Sequence, residues 1–393
     1  MSRRGFLPAL LVLVLAFASG GLAGCSGGTP GPVQGGEAGG RARNVVLFLA
    51  DAGGIPTLHA ASVHGYGAAR RLFVQQMPHI ALSDTSTAQE MVTDSAAGMT
   101  AIVTGQRTNN GVLSQSAAAV RGQRDGEPLE TILEHAEERG LATGLVTNDS
   151  IAGATPAALY AKVNDRNATG PIVLQLFRPR FGDGPDVVIG AGRLEAGRAV
   201  AALGHDLDAL AREARYTVAA RLADVPAGAR RLLVLHESDD FDLAEAVRTA
   251  LGVLSRAPNG YFLMVESDVH TDRIRRGLDR MVAFDRIVRE TAAAVSRDTL
   301  VIFTADHSFD LRVHGGKWGQ PLLAGLDDGD RSESSVRLPH VRMDNSHTGE
   351  EVLVAAQGPG AERVRGYMAN TDLFSVMMRA YGWPMEAAGA PAR

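Results

Sequence analysis

Short apolar runs that stop at a polar residue recur along this chain. Val45 to Ala50 ends at Asp51, and Leu145 to Thr147 is followed by Asn148 and Asp149. Tyr261 to Val265 ends at Glu266, and Leu300 to Ala305 ends at Asp306 and His307. Val187 to Ile189 and Val352 to Ala356 are further runs of this kind. Continuous runs without alternation predict strands buried on both faces, as in parallel sheets. Between them lie stretches with helical spacing: Glu127 to Arg139, closed by Gly140, then Arg273 to Arg297, then Leu373 to Tyr381. Strands alternating with helices predict an α/β fold, a three-layer sandwich whose central, mostly parallel sheet is flanked by helices. Asn167 to Arg231 is less regular and reads as an insertion or a lid. With no internal repeat and no second linker, residues 43–385 read as a single domain, followed by a short tail at 386–393.

The beginning of the chain follows another pattern. Arg3 and Arg4 precede an apolar run from Phe6 to Phe17, and Leu22-Ala23-Gly24-Cys25 has the form of a lipobox. Residues 1–24 therefore read as a lipoprotein signal peptide, with Cys25 acylated as the mature N-terminus. Ser2 to Leu7 also resembles a twin-arginine export signal; the plainer alternative is an ordinary signal peptide with two arginines. The apolar run is short and interrupted by glycine, which argues against a membrane span. Residues 26 to 42, rich in Gly, Pro and Ser, read as a flexible tether. These features predict an exported chain, anchored at the periplasmic or extracytoplasmic face of the cell envelope, whose membrane contact is lipidated Cys25.

Composition narrows the chemistry. The formal net charge is −5, so no basic field points to nucleic acid. Cys25 is the only cysteine. The mature domain then has no disulfide and no thiolate, and any metal must be held by His, Asp, Glu, Ser or Thr.

The acids sit where strands end. In open α/β sheets ligands bind outside the carboxyl ends of the strands, so Asp51, Glu266 and Asp306 are expected to meet at one site. Asp51 stands before Gly53-Gly54, where a carboxylate can bridge metals or simply cap a turn. Ser95, in Thr93-Asp94-Ser95-Ala96-Ala97-Gly98, opens a small-residue helix to about Thr104. A serine there is either part of a cap or a nucleophile in a positive field that favours phosphate, once a base or metal activates it. No Gly-x-Ser-x-Gly surrounds it. Thr155, before Pro156, can cap a helix or ligate a hard cation, and the Arg166 guanidinium has the fork that fits phosphate. Glu266, Asp268, His270 and Asp272 fall within seven residues; Asp306-His307 and His347-Thr348-Gly349 form two further clusters. Three histidines near carboxylates, with no thiol available, suit a zinc site of N and O ligands.

These motifs resemble the alkaline phosphatase family over most of the mature length, with a leader of the bacterial lipoprotein type. The resemblance rests on Asn44 to Asp51, Val92 to Ala97, Thr104-Gly105 with Asn109-Asn110-Gly111, Ala154 to Ala158, Phe262 to Glu266, Thr304 to His307, His347-Thr348-Gly349 and Thr371 to Phe374, all in the order the family shows. It implies a metal-dependent phosphomonoesterase with two Zn2+ and one Mg2+ per chain. Ser95 would be the nucleophile, transiently phosphorylated, and Arg166 would clamp the phosphate of a small phosphomonoester. Asp51 would bridge one Zn2+ and the Mg2+; Asp306 and His307 would complete that zinc site, and Thr155 and Glu266 the magnesium site. His270 and His347 would belong to the other zinc, which activates water. Its carboxylate is open: Glu266 is drawn towards it by its spacing from His270, and otherwise Asp268 is expected, or else Asp272. Gly153 stands where relatives often carry Asp or His near Mg2+, and Asp51-Ala52-Gly53-Gly54 replaces the usual Asp-Gly-Met-Gly turn. A homodimer is the assembly common among such relatives.

Two rival readings remain at this level. One is another hydrolase of the same superfamily. Ala97 and Met99 stand where a sulfatase would need Pro and Arg, and Arg166 favours a monoester over a diester. The other is a non-catalytic lipoprotein that binds metal or phosphate.

Overall fold

Val45, Leu47 and Leu49 point to one side of the first strand, and Val46, Phe48 and Ala50 to the other; all six are wholly buried. That double burial is what the unbroken apolar run demands, and it makes this strand the middle of the molecule. The computed structural model describes residues 40 to 385 except Asp328 and Asp330, so the leader, Cys25 and the tail lie outside the described residues.

Along the chain the strands are β1 (Asn44–Asp51), β2 (His79–Asp84), β3 (Ala142–Ser150), β4 (Val187–Ala191), β5 (Thr217–Ala219), β6 (Leu232–Leu235), β7 (Tyr261–Asp268), β8 (Thr299–Thr304), β9 (Ser308–Val313), β10 (Ser335–Arg337), β11 (Val341–Thr348), β12 (Val352–Gln357) and β13 (Gly366–Ala369). The helices are α1 (Ile55–Tyr66), α2 (Ser95–Thr104), α3 (Ile132–Glu138), α4 (Ala154–Ala157), α5 (Thr169–Phe177), α6 (Arg193–Ala201), α7 (Leu207–Glu213), α8 (Leu243–Leu254), α9 (Ile274–Ala294) and α10 (Asp372–Tyr381). Ten strands form one sheet in the order β13-β2-β12-β8-β1-β7-β3-β4-β6-β5. Within it β12 alone runs against its neighbours; every other pairing is parallel. The layers follow from the two faces of the sheet. On one face the core joins α2, α3, α4, α5, α6, α7 and α10; on the other it joins α1, α8 and α9. The three-layer α/β sandwich expected from the apolar runs is the observed architecture. A separate three-stranded antiparallel sheet, β10-β11-β9, packs against the α1 side.

Two expectations need correction. The helix expected from Glu127 begins only at Ile132, because Thr131 and Glu134 form a reciprocal capping box that fixes the start there. The segment from Asn167 to Arg231 is neither irregular nor a lid. It supplies α5, β4, α6, α7 and β5, and β4 pairs directly with β3, so it widens the central sheet. Its short strands and short helices hide their periodicity.

The start of α3 carries an unusual buried charge. Glu134 is 1 % exposed and Lys162 6 %, with Lys162 Nζ 2.8 Å from Glu134 Oε1. Burial works against both charged forms, raising the Glu134 pKa and lowering that of Lys162. Such a pair adds little net stability, but removing one member strands the other. Lys162→Met is therefore expected to cost about 3–5 kcal/mol in urea denaturation. Lys162→Met with Glu134→Gln, which keeps the capping acceptor and removes the charge, should recover most of that loss.

Candidate active site

The catalytic candidates come together at the carboxyl ends of β1, β7 and β8, the three adjacent strands at the centre of the sheet. Asp51 is the last residue of β1. The chain leaves it through Ala52, which holds a left-handed φ of 65° and donates its N–H to Asp306 Oδ1 at 3.3 Å. A non-glycine residue pays roughly 1 kcal/mol or more for that conformation. The replaced turn thus places strain against a site carboxylate. Asp306 and His307 follow β8, and the His307 N–H donates to Asp306 Oδ1 at 3.0 Å. Asp51, Asp306 and His307 are all buried, and they offer ligand atoms within 4.8 Å of one another.

Ser95 is the first residue of α2, a helix buried along its whole length. Asp94 precedes it as N-cap, its Oδ1 accepting from Ala97 N at 3.0 Å. The other carboxylate oxygen accepts from Gly111 N at 2.9 Å and from Arg166 Nη1 at 3.1 Å, so the cap also tethers the guanidinium. Gly98, on the first turn, has no room for a side chain: a Cβ would lie 2.8 Å from the Asp306 carbonyl oxygen. The helix start is thereby pressed against the strand end, and Ser95 Oγ stands 3.2 Å from His307 Nε2 and 3.4 Å from Asp51 Oδ2.

The three histidines share one logic. Nδ1 of His307 faces the Ser308 carbonyl at 3.1 Å, and Nδ1 of His347 faces the Thr93 carbonyl at 3.1 Å. Nδ1 of His270 lies 2.7 Å from Asp268 Oδ1. In each ring Nδ1 has an oxygen partner, which leaves Nε2 as the atom available to a metal, as in metal-ligating histidines. His270, His307 and His347 offer ligand atoms within 4.8 Å of one another, and the rings of His307 and His347 stack with centroids 3.8 Å apart. His347 arrives from β11, in the small sheet rather than the large one.

Asp268 is beside the site but outside both groups. Its Oδ1 is taken by His270, and its Oδ2 lies 3.2 Å from Arg280 Nη1 on α9. Asp272 lies in the turn after His270, likewise outside both groups. Glu266 is tied to β3: Oε2 accepts from Thr147 Oγ1, Oε1 has no partner among the described residues, and the side chain is wholly buried. Thr155, on α4, has its Oγ1 3.5 Å from Asp51 Oδ2.

Charge in this cluster is heavily perturbed. Burial pushes Asp51 up, but His270, His307 and Arg166 outweigh it and hold Asp51 well below the usual carboxylate range. Burial and then Asp51 lift Asp306 to about 6. Burial lifts Glu266 far above its ordinary value, with Asp51 and Asp149 adding to it. Burial opposes the charged form of His270, yet Asp51 and the Asp268 hydrogen bond raise it to about 10. Burial and the neighbouring His307 lower His347 to about 4. Three buried carboxylate oxygens without hydrogen-bond partners among the described residues, Asp51 Oδ1, Glu266 Oε1 and Asp306 Oδ2, and three converging histidine nitrogens suit divalent cations held by N and O donors.

Several contributors were not singled out from sequence. In sequence Asp94 stands only as a neighbour of Ser95 in its motif, and Thr147 and Arg280 carry no motif. Asp149 was visible as a polar residue at the end of an apolar run, the same signal that marks Asp51 and Asp306.

Known proteins resemble this chain in sequence and in fold. The family model described as Alkaline phosphatase matches residues 42–177 and 232–324. Streptomycin-6-phosphate phosphatase of Streptomyces griseus is 33% identical, over 97% of this chain and 97% of that protein. Alkaline phosphatase 4 of Drosophila melanogaster is 26% identical, over 86% of this chain and 76% of that protein. Among solved structures, the Thermus thermophilus alkaline phosphatase shares the fold with a TM-score of 0.73 at 22% identity, covering 91% of this chain and 96% of that one. A mutant of TAB5 alkaline phosphatase with Mg bound in its M3 site gives 0.71 at 23% identity, over 88% and 99%.

Because ligating nitrogens must be deprotonated, the histidine shifts predict proton release. In the metal-free chain His270 carries a proton up to about pH 10, whereas His347 is neutral above about 4. Zinc binding near neutral pH is expected to release protons, with His270 a source and His347 not one. The His270 share should vanish as the pH rises through about 10. Calorimetric titration in buffers of different ionisation enthalpy measures it.

Proposed function

The chain belongs to the alkaline phosphatase family, and on that basis we propose that it hydrolyses phosphate monoesters in a metal-dependent reaction through a phosphoserine at Ser95. The observation that carries this reading is the position of Ser95 Oγ, at a helix N-terminus and within 3.4 Å of both His307 Nε2 and Asp51 Oδ2. Asp51, Asp306 and His307 would hold one Zn2+, His270 and His347 a second, and Asp51, Thr155 and Glu266 an Mg2+. Once bound, these cations supply the Lewis acidity that ionises the serine hydroxyl and a water and offsets charge on the phosphoryl oxygens.

The chain's own residues position the rest. The N-terminus of α2 presents backbone N–H groups and a positive dipole end to the phosphoryl group. Arg166, held by Asp94, offers its guanidinium to the non-bridging oxygens. Ser95 Oγ attacks phosphorus, the ester P–O bond breaks, and the alcohol leaves with a proton. Water then attacks the phosphoserine, the P–Oγ bond breaks, and inorganic phosphate and the serine hydroxyl are regenerated. Two in-line displacements give net retention at phosphorus. Asp268 orients His270 through its Nδ1 rather than ligating metal, and Arg280 holds Asp268 in place. Since the streptomycin-6-phosphate phosphatase relative acts on a phosphorylated small molecule by its name, a small-molecule monoester is the substrate class we favour.

We further propose that the mature chain is exported and tethered to the cell envelope through acylated Cys25, supported by the lipobox and the tether that follows it. No helix among the described residues is long and apolar enough to cross a membrane. Cys25→Ser should move activity from the membrane to the soluble fraction of the producing cell.

Hydrolysis of an aryl phosphate and of streptomycin 6-phosphate tests the reaction. Turnover should require Zn2+ and Mg2+, stop in chelator, and fall by about 10^4-fold or more in Ser95→Ala, the scale of losing an activated nucleophile. Metal-dependent turnover that survives the substitution would assign the nucleophile elsewhere, and bound metal without turnover would favour a binding protein.

A further inference from the structure

Glu266 poses a problem that the residues named so far do not solve. Its side chain is wholly buried, and among the described residues Oε1 has no partner and the carboxylate accepts one hydrogen bond, from the Thr147 hydroxyl. The charges that act on it most strongly are carboxylates, Asp51, Asp149 and Asp306. A buried carboxylate surrounded by carboxylates is costly unless a cation sits among them.

The Thr147 hydroxyl ties Asp149 to this place. The same Oγ1 that donates to Glu266 Oε2 accepts from the Asp149 N–H at 2.9 Å. From there β3 turns into α4, with the Gly153 N–H donating to the Ser150 carbonyl at 2.7 Å. A Cβ on Gly153 would stand 2.7 Å from Asp149 Oδ2 and 2.9 Å from the Ser150 carbonyl oxygen. The Asp149 carboxylate therefore fills the space beside position 153, at the entry to the helix that carries Thr155. Gly153 has a φ of −55°, so steric room rather than backbone conformation is what a side chain there would lack.

We propose that Asp149 is a carboxylate ligand of the hard divalent cation held by Asp51, Glu266 and Thr155, contributing directly or through one ordered water. This rests on the Mg2+ site of the reading above and adds a residue to it. The donors are then three carboxylates and a hydroxyl, with no nitrogen or sulfur, a set that suits Mg2+ and disfavours Zn2+.

The test is calorimetric titration of Mg2+ into the zinc-loaded full chain, with Mg2+-dependent thermal stabilisation as a second readout. Asp149→Asn, of equal size, should raise the Mg2+ Kd by about tenfold or more while zinc content is unchanged. Gly153→Ala keeps every charge but intrudes on the carboxylate, and should weaken Mg2+ in the same direction. Glu266→Gln serves as the reference for the site itself. Loss of Mg2+ affinity in Glu266→Gln with unchanged affinity in Asp149→Asn would overturn the assignment of Asp149 and leave the site standing. Unchanged affinity in both variants would overturn the site as well.

Discussion

Four carboxylates gathered where strands end, with too few cations beside them, are the constraint to which the centre of this molecule answers. Asp51, Glu266 and Asp306 are buried, and Asp149 stands against them. Bringing like charges out of water is opposed both by lost hydration and by mutual repulsion. Much of the surrounding structure is a response to that opposition. Ala52 bends into an unfavourable conformation and turns its N–H towards Asp306; Arg166 and two histidines draw Asp51 down; α2 ends its buried axis at Ser95. Burial of this kind marks functional sites, because a stability-driven core would have replaced the acids with apolar groups.

The large sheet makes such crowding attainable. Parallel strands all end on one side, so β1, β7 and β8 deliver acids separated by more than two hundred residues to one edge. Both faces are sealed by helices, and the edge is the one place where polar groups can collect. The small antiparallel sheet then adds what the large one lacks. His347 reaches in on β11, and its Nδ1 is turned by the Thr93 carbonyl, two residues before Ser95. One hydrogen bond thus joins the small sheet to the start of α2.

How much of this is legible in sequence depends on the range of the cause. The apolar runs of β1, β7, β8 and β12 announce themselves, since each must be buried on both sides and the pattern is complete within the run. Asp51, Asp306 and His307 are legible because each stands where such a run ends, and Ser95 because it stands at a helix start; His270 and His347 show only as histidines beside acids or a glycine turn. The start of α3 was misplaced because the deciding interaction is a side-chain exchange between Thr131 and Glu134, which competes with the helical spacing of residues 127–130. The regular elements of 167–231 do not show in sequence because three- to nine-residue elements are too short to show a period. Asp268 and Asp149 could not be given their places from spacing alone. One is defined by the ring nitrogen it meets and the other by an empty volume above a glycine, and both are facts of packing.

The pairing order of the central strand has a consequence for synthesis. β1 leaves the ribosome early, yet its partners β7 and β8 begin only at Tyr261 and Thr299. At about 5–20 residues per second, this largely apolar strand waits on the order of ten to fifty seconds for its neighbours. During that interval neither of its edges is covered by its native partner strand. A nascent chain of this topology is a natural client for a holding chaperone, and a compartment that receives it before β8 has been made receives it without its centre.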